Sequence, residues 1–567
     1  MTYNSLLRKI PVATAMLDSF KAGYTSQKLR ADLIAGLVVS LVALPLAMAL
    51  SIAVGLPPQN GLYTAVVAGF IAALFGGSRT QVSGPTAAFV VIVAPIVAEF
   101  GLRGIVWCQI MAGIMLICLG IARLGKVITY VPYPVTTGFT SGIAIVIGTI
   151  ALNDFFGVEK APAGHWPHKA MSFLESLPHT DIPTLSLGLF ALVIMAALPK
   201  FMPKIPSAIV GIVAATLAAM ALHQYAGIDF DTIGSRFSYT GTDGATYHGV
   251  PPFPPSLHIP GFSSDSIFAL PTSGELSAWF MPSLVIAILA ALESLLSATV
   301  ADSMSGTRHE PNAELNGIGL GNIFSGLCLG IPATGAIART ATNINAGAVS
   351  PVAAMTHAVL LLVYMISLAP IIAYIPMTAL SALLLLTAWR MSHAHQFIHL
   401  LRSAPKSDRA VAILCFIMTV MIDMVAGVVS GLVLASILFV KRMMDVTEVA
   451  HHHADDNRSE YDLPHGTILF HFDGPLFFGT AEKVFSTRSD FLIQDGRHLI
   501  LDMTNVPMCD VTALNVLGDF IKEMEKQHHV ISICATQTIS KRIHRRLGDI
   551  ALARVKFFEK VSDAIAR

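Results

Sequence analysis

The sequence predicts an α-helical polytopic membrane protein with a small cytoplasmic α/β domain at its C-terminus. Three observations predict it. The 567 residues are 54% hydrophobic and 13% charged, with a mean hydropathy of +0.66, values that suit a chain crossing a bilayer many times. Apolar runs long enough to span a membrane recur from Ala31 to about residue 440. After Arg442 the pattern changes to short strand-like runs alternating with helical ones.

Spans are expected near 31–53, 58–76, 104–122, 132–152, 183–199, 206–223, 278–301, 312–330, 352–370, 374–390, 409–426 and 427–440. Two further segments, near 84–99 and 334–347, are short or interrupted by Gly and Pro. Together they make fourteen membrane segments, seven before the polar stretch 224–276 and seven after it. An even number places both termini on one side. That side holds Arg8, Lys9, Lys21, Lys28, Arg30, Arg79, Arg123, Lys126, Lys200, Lys204, Arg308, Arg390, Arg402, Lys406, Arg409, Lys441 and Arg442. The other keeps Arg103, Lys160, Lys169 and Arg236. The bias sets the termini in the cytoplasm and the 224–276 loop outside.

The expected organisation is a cytoplasmic segment 1–30, a transport domain 31–446, a polar linker 447–463 and an α/β domain 464–567. Within the transport domain, repeat 1 covers about 31–223, the outer loop 224–276 and repeat 2 about 277–446. In the tail, "GTILFHF" (466–472), "HLILDM" (498–503) and "VISICA" (530–535) read as strands, with helical patterns near 480–494, 511–526 and 538–547.

Several function classes are excluded. A net charge of zero gives nucleic acid no electrostatic footing. Cys108, Cys118, Cys328, Cys415, Cys509 and Cys534 sit in or beside apolar runs and never at metal spacing, so neither a disulfide framework nor a zinc site is indicated. The basic, polar first 30 residues lack the pattern of a cleaved signal peptide. No phosphate-binding loop, nucleophile elbow or zinc motif is present, so no enzyme, cofactor or metal is expected. The run His451–His452–His453 reads as a solvated linker stretch, and His393, His395 and His399 read as surface or packing residues of a charged cytoplasmic helix.

The two interrupted segments carry the chemistry. "SGPTAAFVVIVAP" (83–95) and "GIPATGAIARTATN" (330–343) occupy equivalent places, third in each set of seven. Each opens with Pro and small residues and then becomes apolar, which is the sequence pointer to a midplane binding site. A helix that starts inside the membrane leaves its first N–H groups unpaired and carries roughly +0.5 charge there. Two such ends facing each other form an anion site from backbone alone. Thr86, Ala87 and Ala88 in one segment, and Ala336, Ile337 and Ala338 in the other, are small enough to leave those groups accessible. Arg339 then adds a full positive charge at the mouth of the second half-helix. The span 284–302 also buries Glu293. Intramembrane charges are costly and commonly functional. Glu293 reads either as a structural partner of Arg339 or as a protonatable group carrying a coupling proton.

These residues resemble the SulP anion transporter family, which includes sulfate permeases and bicarbonate transporters. The match covers nearly the whole chain. "ALPLAMALSIAVGLPPQNGLY" (43–63) is similar to the family's first-span signature, with Pro45 breaking the helix. Leu46 follows Pro45 where many members have Gln, so one polar substrate contact is expected to be missing. "SGPTAAF" and "TGAIART" are similar to the family's two half-helices. The resemblance implies substrate contacts from Leu50, Thr86, Ala87, Ala88, Gly335, Ala336, Ile337, Ala338 and Arg339, with Glu293 as the proton-coupling candidate. It also implies inverted repeats, core and gate domains, a homodimer, elevator-like alternating access and a bacterial inner-membrane location.

The tail is similar to a STAS domain. "NVPMCDVTALNVLGDF" (505–520) lies at that domain's strand–helix junction, and Thr512 at a position phosphorylated in soluble relatives. Either Asp510 or Thr512 is expected to cap the helix, and a cytoplasmic partner of this domain is a further expectation. "IPATGAIARTATNINAGAVSP" (331–351), "LTAWRMSHAHQFIHLLRSAPKSD" (386–408) and "TIGSRFSY…GVPPFPPS" (232–256) look nearest to bacterial members carrying C4-dicarboxylates such as succinate, fumarate and aspartate. The expected function is proton-coupled transport of a small organic dianion. Sulfate or bicarbonate transport, an anion channel and a membrane sensor are the alternatives.

Overall fold

The computed structural model describes residues 11–126, 131–159, 166–202, 205–241, 243–261, 266–446, 448–453, 463–485, 498–551 and 553–566. The chain divides into two compact units, Met1–Leu432 and Val433–Arg567.

The first unit opens with helices α1 (Thr14–Lys21), α2 (Ser26–Ala53) and α3 (Pro58–Phe75), strand β1 (Ser83–Gly84) and helix α4 (Ala87–Ile121). Helices α5 (Tyr133–Phe156), α6 (Trp166–Ser176), α7 (Ile182–Phe201) and α8 (Ser207–Ala226) follow. The expected outer loop holds the short helix α9 (Ile233–Arg236) and a hairpin of β2 (Ser238–Thr240) and β3 (Thr246–His248). Then come α10 (Ser273–Ser305), α11 (Pro311–Leu327), strand β4 (Thr334–Gly335), α12 (Ile337–Asn345) and α13 (Val352–Ile372). Helices α14 (Met377–Met391), α15 (Ala394–Ser403), α16 (Lys406–Met421) and α17 (Met424–Val446) complete the helical run.

Each of the fourteen expected segments falls on a helix. The third and fourth merge into α4, which turns at Gly101 with φ 64° and ψ −163°, a backbone state open to glycine and strained for other residues. Among the described residues, nine helices are long and apolar enough to cross a membrane. Pro45 departs from expectation, because α2 runs unbroken through it. Neighbouring helices and side chains in a packed membrane bundle can re-satisfy the carbonyl that a proline leaves free.

The helices pack in two sets. One gathers α2, α3 and α4 with α10, α11, α12 and α13, and the other gathers α5, α7 and α8 with α14 and α16. Each set draws equivalent segments from both halves of the chain, as a pair of related repeats would. Small residues let the backbones close in. A Cβ at Gly113 of α4 would stand 2.6 Å from the Gly319 carbonyl oxygen of α11, and one at Gly319 would stand 2.8 Å from that of Gly113.

The second unit is built on a five-stranded sheet in the order β5 (Glu448–His453), β6 (Thr467–Asp473), β7 (His498–Met503), β8 (Val530–Ala535), β9 (Val555–Phe558). The β5–β6 pair is antiparallel and the rest are parallel. The parallel connections carry helices, as such crossovers require: α18 (Phe478–Phe485), α19 (Val511–Lys526) and α20 (Gln537–Ala551), with α21 (Val561–Ile565) after the last strand. Alternate strand residues serve the two faces. Ile468, Phe470, Leu499, Leu501, Ile531 and Ile533 join one core with α19 and α20. Leu469, Ile500 and Cys534 join another with α21. Burial pushes the Cys509 and Cys534 thiols up to about 12, so neither is a reactive thiolate near neutral pH. The expected linker is corrected in part. Glu448–His453, the histidine run included, forms the edge strand, while 454–462 and the end of the helical pattern at 486–494 lie outside the described residues.

Both interrupted segments, Glu293 and Arg339 belong to the first unit. Deleting residues 448–567 should therefore lower expression or transport while leaving anion binding in place, as measured by calorimetry on the purified truncated domain. Loss of binding in a well-folded truncation would count against this division.

Candidate anion-binding site

The site begins with two short backbone stretches that cross. β1 and β4 pair antiparallel, Ser83 opposite Gly335 and Gly84 opposite Thr334. Each leads within three residues into a helix, α4 from Ala87 and α12 from Ile337. The ladder therefore fixes the two helix starts against each other, which sequence equivalence alone could not do.

Both starts lack a side-chain cap. Thr86 is the N-cap residue of α4, a place where threonine normally accepts from the first turn. Here its hydroxyl donates instead to Glu293 Oε2 at 3.0 Å. Diverting that hydroxyl leaves the first amides of α4, those of Ala87 and Ala88, to other acceptors. On α12 the N-cap is Ala336, which has no hydroxyl to offer. The amides of Gly335 and Ala336 are engaged, the first donating to Ser294 Oγ at 3.0 Å and the second to the Val82 carbonyl at 2.9 Å. These two support the helix end, and the donors a ligand would meet start at Ile337 and Ala338, whose side chains are exposed.

Arg339 is only 3% exposed. Its Nη2 donates to the Pro85 carbonyl, just ahead of the first half-helix. A Cβ at Gly84 would lie 2.9 Å from Arg339 Nη1, and Gly84 has φ 150°, so this position needs glycine both for space and for conformation. Among the described residues, no ion pair joins Arg339 to Glu293. The structural-partner reading of Glu293 is thus replaced by a hydrogen bond to Thr86. Arginine and carboxylate both reach the start of α4, one through the Pro85 carbonyl and the other through Thr86. Leu50 is buried within α2 at 1% exposure, and α2 packs against α12.

Sequence reading missed the residues that hold this geometry. Glu314, 2% exposed, accepts from the Gly77 and Ser78 amides at 2.9 Å each and from Gln81 Nε2 at 2.7 Å. It thereby anchors the chain that runs into β1. Thr340 accepts from the Val82 amide at 3.0 Å, and Asn343 donates to the Thr80 carbonyl at 2.8 Å. The approach to β4 is held by Asn322, whose side chain both donates to and accepts from Ala333 at 2.9 Å, and by Thr64 and Gln109 on Ile331. Asp32 accepts from the Val349 and Ser350 amides, from Ser350 Oγ and from Tyr24, pinning the turn beyond α12. The available signal was polar residues scattered singly through Gly-rich spans, which does not say which backbone each one serves.

In the second unit, Asp510 caps α19, its Oδ1 accepting from the Ala513 amide at 2.8 Å. Its other oxygen accepts from the Phe478 amide at 3.1 Å. Thr512 is exposed in the first turn of α19. His393, His395 and His399 lie on or beside α15 and are exposed.

Uncapped half-helices joined to a buried arginine, within a bundle of apolar helices, define a membrane transporter for anions. The chain belongs to the Sulfate permease family, whose profile matches residues 29–419, and a STAS domain matches residues 459–564. It is 36% identical over 529 residues to the provisionally named sulfate transporter YvdB of Bacillus subtilis (strain 168), covering 93% of this chain and 95% of that one. It is 30% identical over 558 residues to the bicarbonate transporter BicA of a Picosynechococcus species, covering 92% and 91%. The fold is similar to that of murine solute carrier 26 family member A9, an anion transporter in the inward-facing state, with a TM-score of 0.83 at 18% identity, covering 100% of this chain and 95% of that one.

Replacing Glu314 tests whether the support carries the site. Glu314→Ala leaves the Gly77 and Ser78 amides and Gln81 without their acceptor, and a buried donor left unpaired costs about 1–3 kcal/mol. A lower thermal unfolding midpoint and weakened anion binding are expected together. Glu314→Gln should recover part of both, since it can still accept from two of the three donors.

Proposed function

We propose that this chain is a secondary active transporter of small dianions, coupled to protons, with C4-dicarboxylates as its leading substrates. The observation that carries the reading is the pair of uncapped helix starts locked by β1 and β4, with Arg339 buried beside them. Two helix ends supply only partial charges, so a full guanidinium favours a substrate with two negative charges over one. The hydrogen bond from Thr86 to Glu293 supports coupling. The carboxylate sits next to the anion-facing end of α4, where gain of a proton lowers the negative charge that an incoming anion meets.

The packing into two helix sets supports movement of one set against the other, an elevator-type exchange in a homodimer, in a bacterial inner membrane with both termini in the cytoplasm. The dicarboxylate preference rests on the 331–351 and 386–408 stretches. A second reading, sulfate or bicarbonate as substrate, is favoured by the names of the relatives matched over nine-tenths of the chain. Uptake of radiolabelled fumarate, sulfate and bicarbonate into proteoliposomes at two external pH values separates the readings. Saturable, exchangeable uptake marks a transporter, uncoupled conductance a channel, and binding without flux a sensor.

Arg339→Ala should weaken dianion binding strongly, by about 10- to 100-fold if one charge-assisted contact of 1.5–3 kcal/mol is lost. Arg339→Lys should recover part of the loss, restoring charge but not the planar fork. Glu293→Gln mimics the protonated carboxylate, so it should keep binding while flattening the pH dependence of uptake. Wild-type affinity in Arg339→Ala would remove the arginine from the site.

A further inference from the structure

On α13, close to β1, lies a buried group that the site as described does not use. His357, on α13, is fully buried, and neither of its ring nitrogens has a hydrogen-bond partner among the described residues. The Ala354 backbone one turn earlier interacts with the ring without meeting hydrogen-bond geometry. Arg339 has a matching deficit. Its Nη2 is satisfied by Pro85, but its Nε is buried without a partner.

Both residues lie in the neighbourhood of β1. A Cβ at Gly69 would lie 3.2 Å from the Ser83 carbonyl oxygen and 3.8 Å from Ala358 Cβ, which places the His357–Ala358 turn of α13 close to β1. The next residue of β1, Gly84, abuts Arg339 Nη1, and the Arg339 charge acts on the His357 ring.

The chemistry of the unpaired atoms is complementary through one intermediary. Guanidinium Nε–H can only donate, and a neutral imidazole offers one acceptor nitrogen and one N–H. A water accepts from the first and donates to the second. Buried polar groups in proteins are nearly always paired, and ordered water is the usual partner where protein groups fall short.

We propose that an ordered water bridges Arg339 Nε to His357, making His357 a positioning residue that fixes the plane of the guanidinium for the incoming anion. The inference rests on Arg339 being the anion-binding cation. His357 itself touches no substrate. It reduces the reorganisation that Arg339 needs when an anion arrives, so its effect falls on affinity rather than on turnover.

A double-mutant cycle on the full chain tests this, using His357→Leu, His357→Gln, Arg339→Lys and the combined variants. Lysine has no Nε–H, so Arg339→Lys removes the proposed bridge from the other side. In ligand-free protein, His357→Leu should lower the thermal midpoint by roughly 2–4 °C, and should do so much less in the Arg339→Lys background. In proteoliposomes supplied with fumarate, sulfate and bicarbonate, His357→Leu should raise KM about tenfold with kcat nearly unchanged. His357→Gln, which keeps a donor and an acceptor, should restore most of the affinity.

Additive thermal effects overturn the bridge whether or not any of the three anions binds. A coupled thermal cycle without binding of any of them supports the bridge and instead removes Arg339 from an anion site. Unchanged KM in His357→Leu overturns the positioning role. If His357→Leu does not assemble, the cycle run with His357→Met, which also lacks both ring nitrogens, decides: coupling with Arg339→Lys supports the proposal and additivity refutes it.

Discussion

Everything around the site follows from one constraint, the cost of starting a helix in the middle of an apolar bundle. Backbone N–H and C=O groups buried away from water must find partners, and a half-helix supplies none for its first turn. The chain meets this at two places at once by crossing the stretches that lead into α4 and α12, so that β1 and β4 satisfy each other. The first amides of α4 are left without a side-chain cap, and these open donors are what the proposed anion site is built from.

The crossing is then held from outside by side chains aimed at backbone. Glu314 grips the turn before β1, Asn322 the strand before α12, and Asp32 the turn after it. None of these residues touches the anion-facing end. They make the helix starts rigid, which matters because a partial charge acts on a ligand only when it is held in place. Thr86 has the opposite part: by turning its hydroxyl to Glu293 it leaves the α4 amides open and ties that carboxylate to the helix end.

Much of this was legible in the sequence. The fourteen expected segments each fell on a helix, the long apolar ones because such runs leave little other choice in a bilayer. The three central strands of the tail lie within a residue of their expected places, since buried parallel strands read as unbroken apolar runs. The outer strands β5 and β9 were not read. One is a polar edge that includes three histidines, and the other spans only four residues, too short for a period to show.

By itself the sequence determined the run of membrane helices, the two interrupted segments and two of the buried charges, Glu293 and Arg339, because each depends on local composition and spacing. Tertiary structure decided which charge meets which group. Glu293 and Arg339 look like natural partners along the chain, yet the folded molecule gives the carboxylate to Thr86 and the guanidinium to the Pro85 carbonyl. It also decided that Gly335 and Ala336 spend their amides on support. These outcomes depend on how β1 and β4 cross, a long-range pairing of residues about 250 apart in the chain, and no local pattern encodes the register of such a crossing.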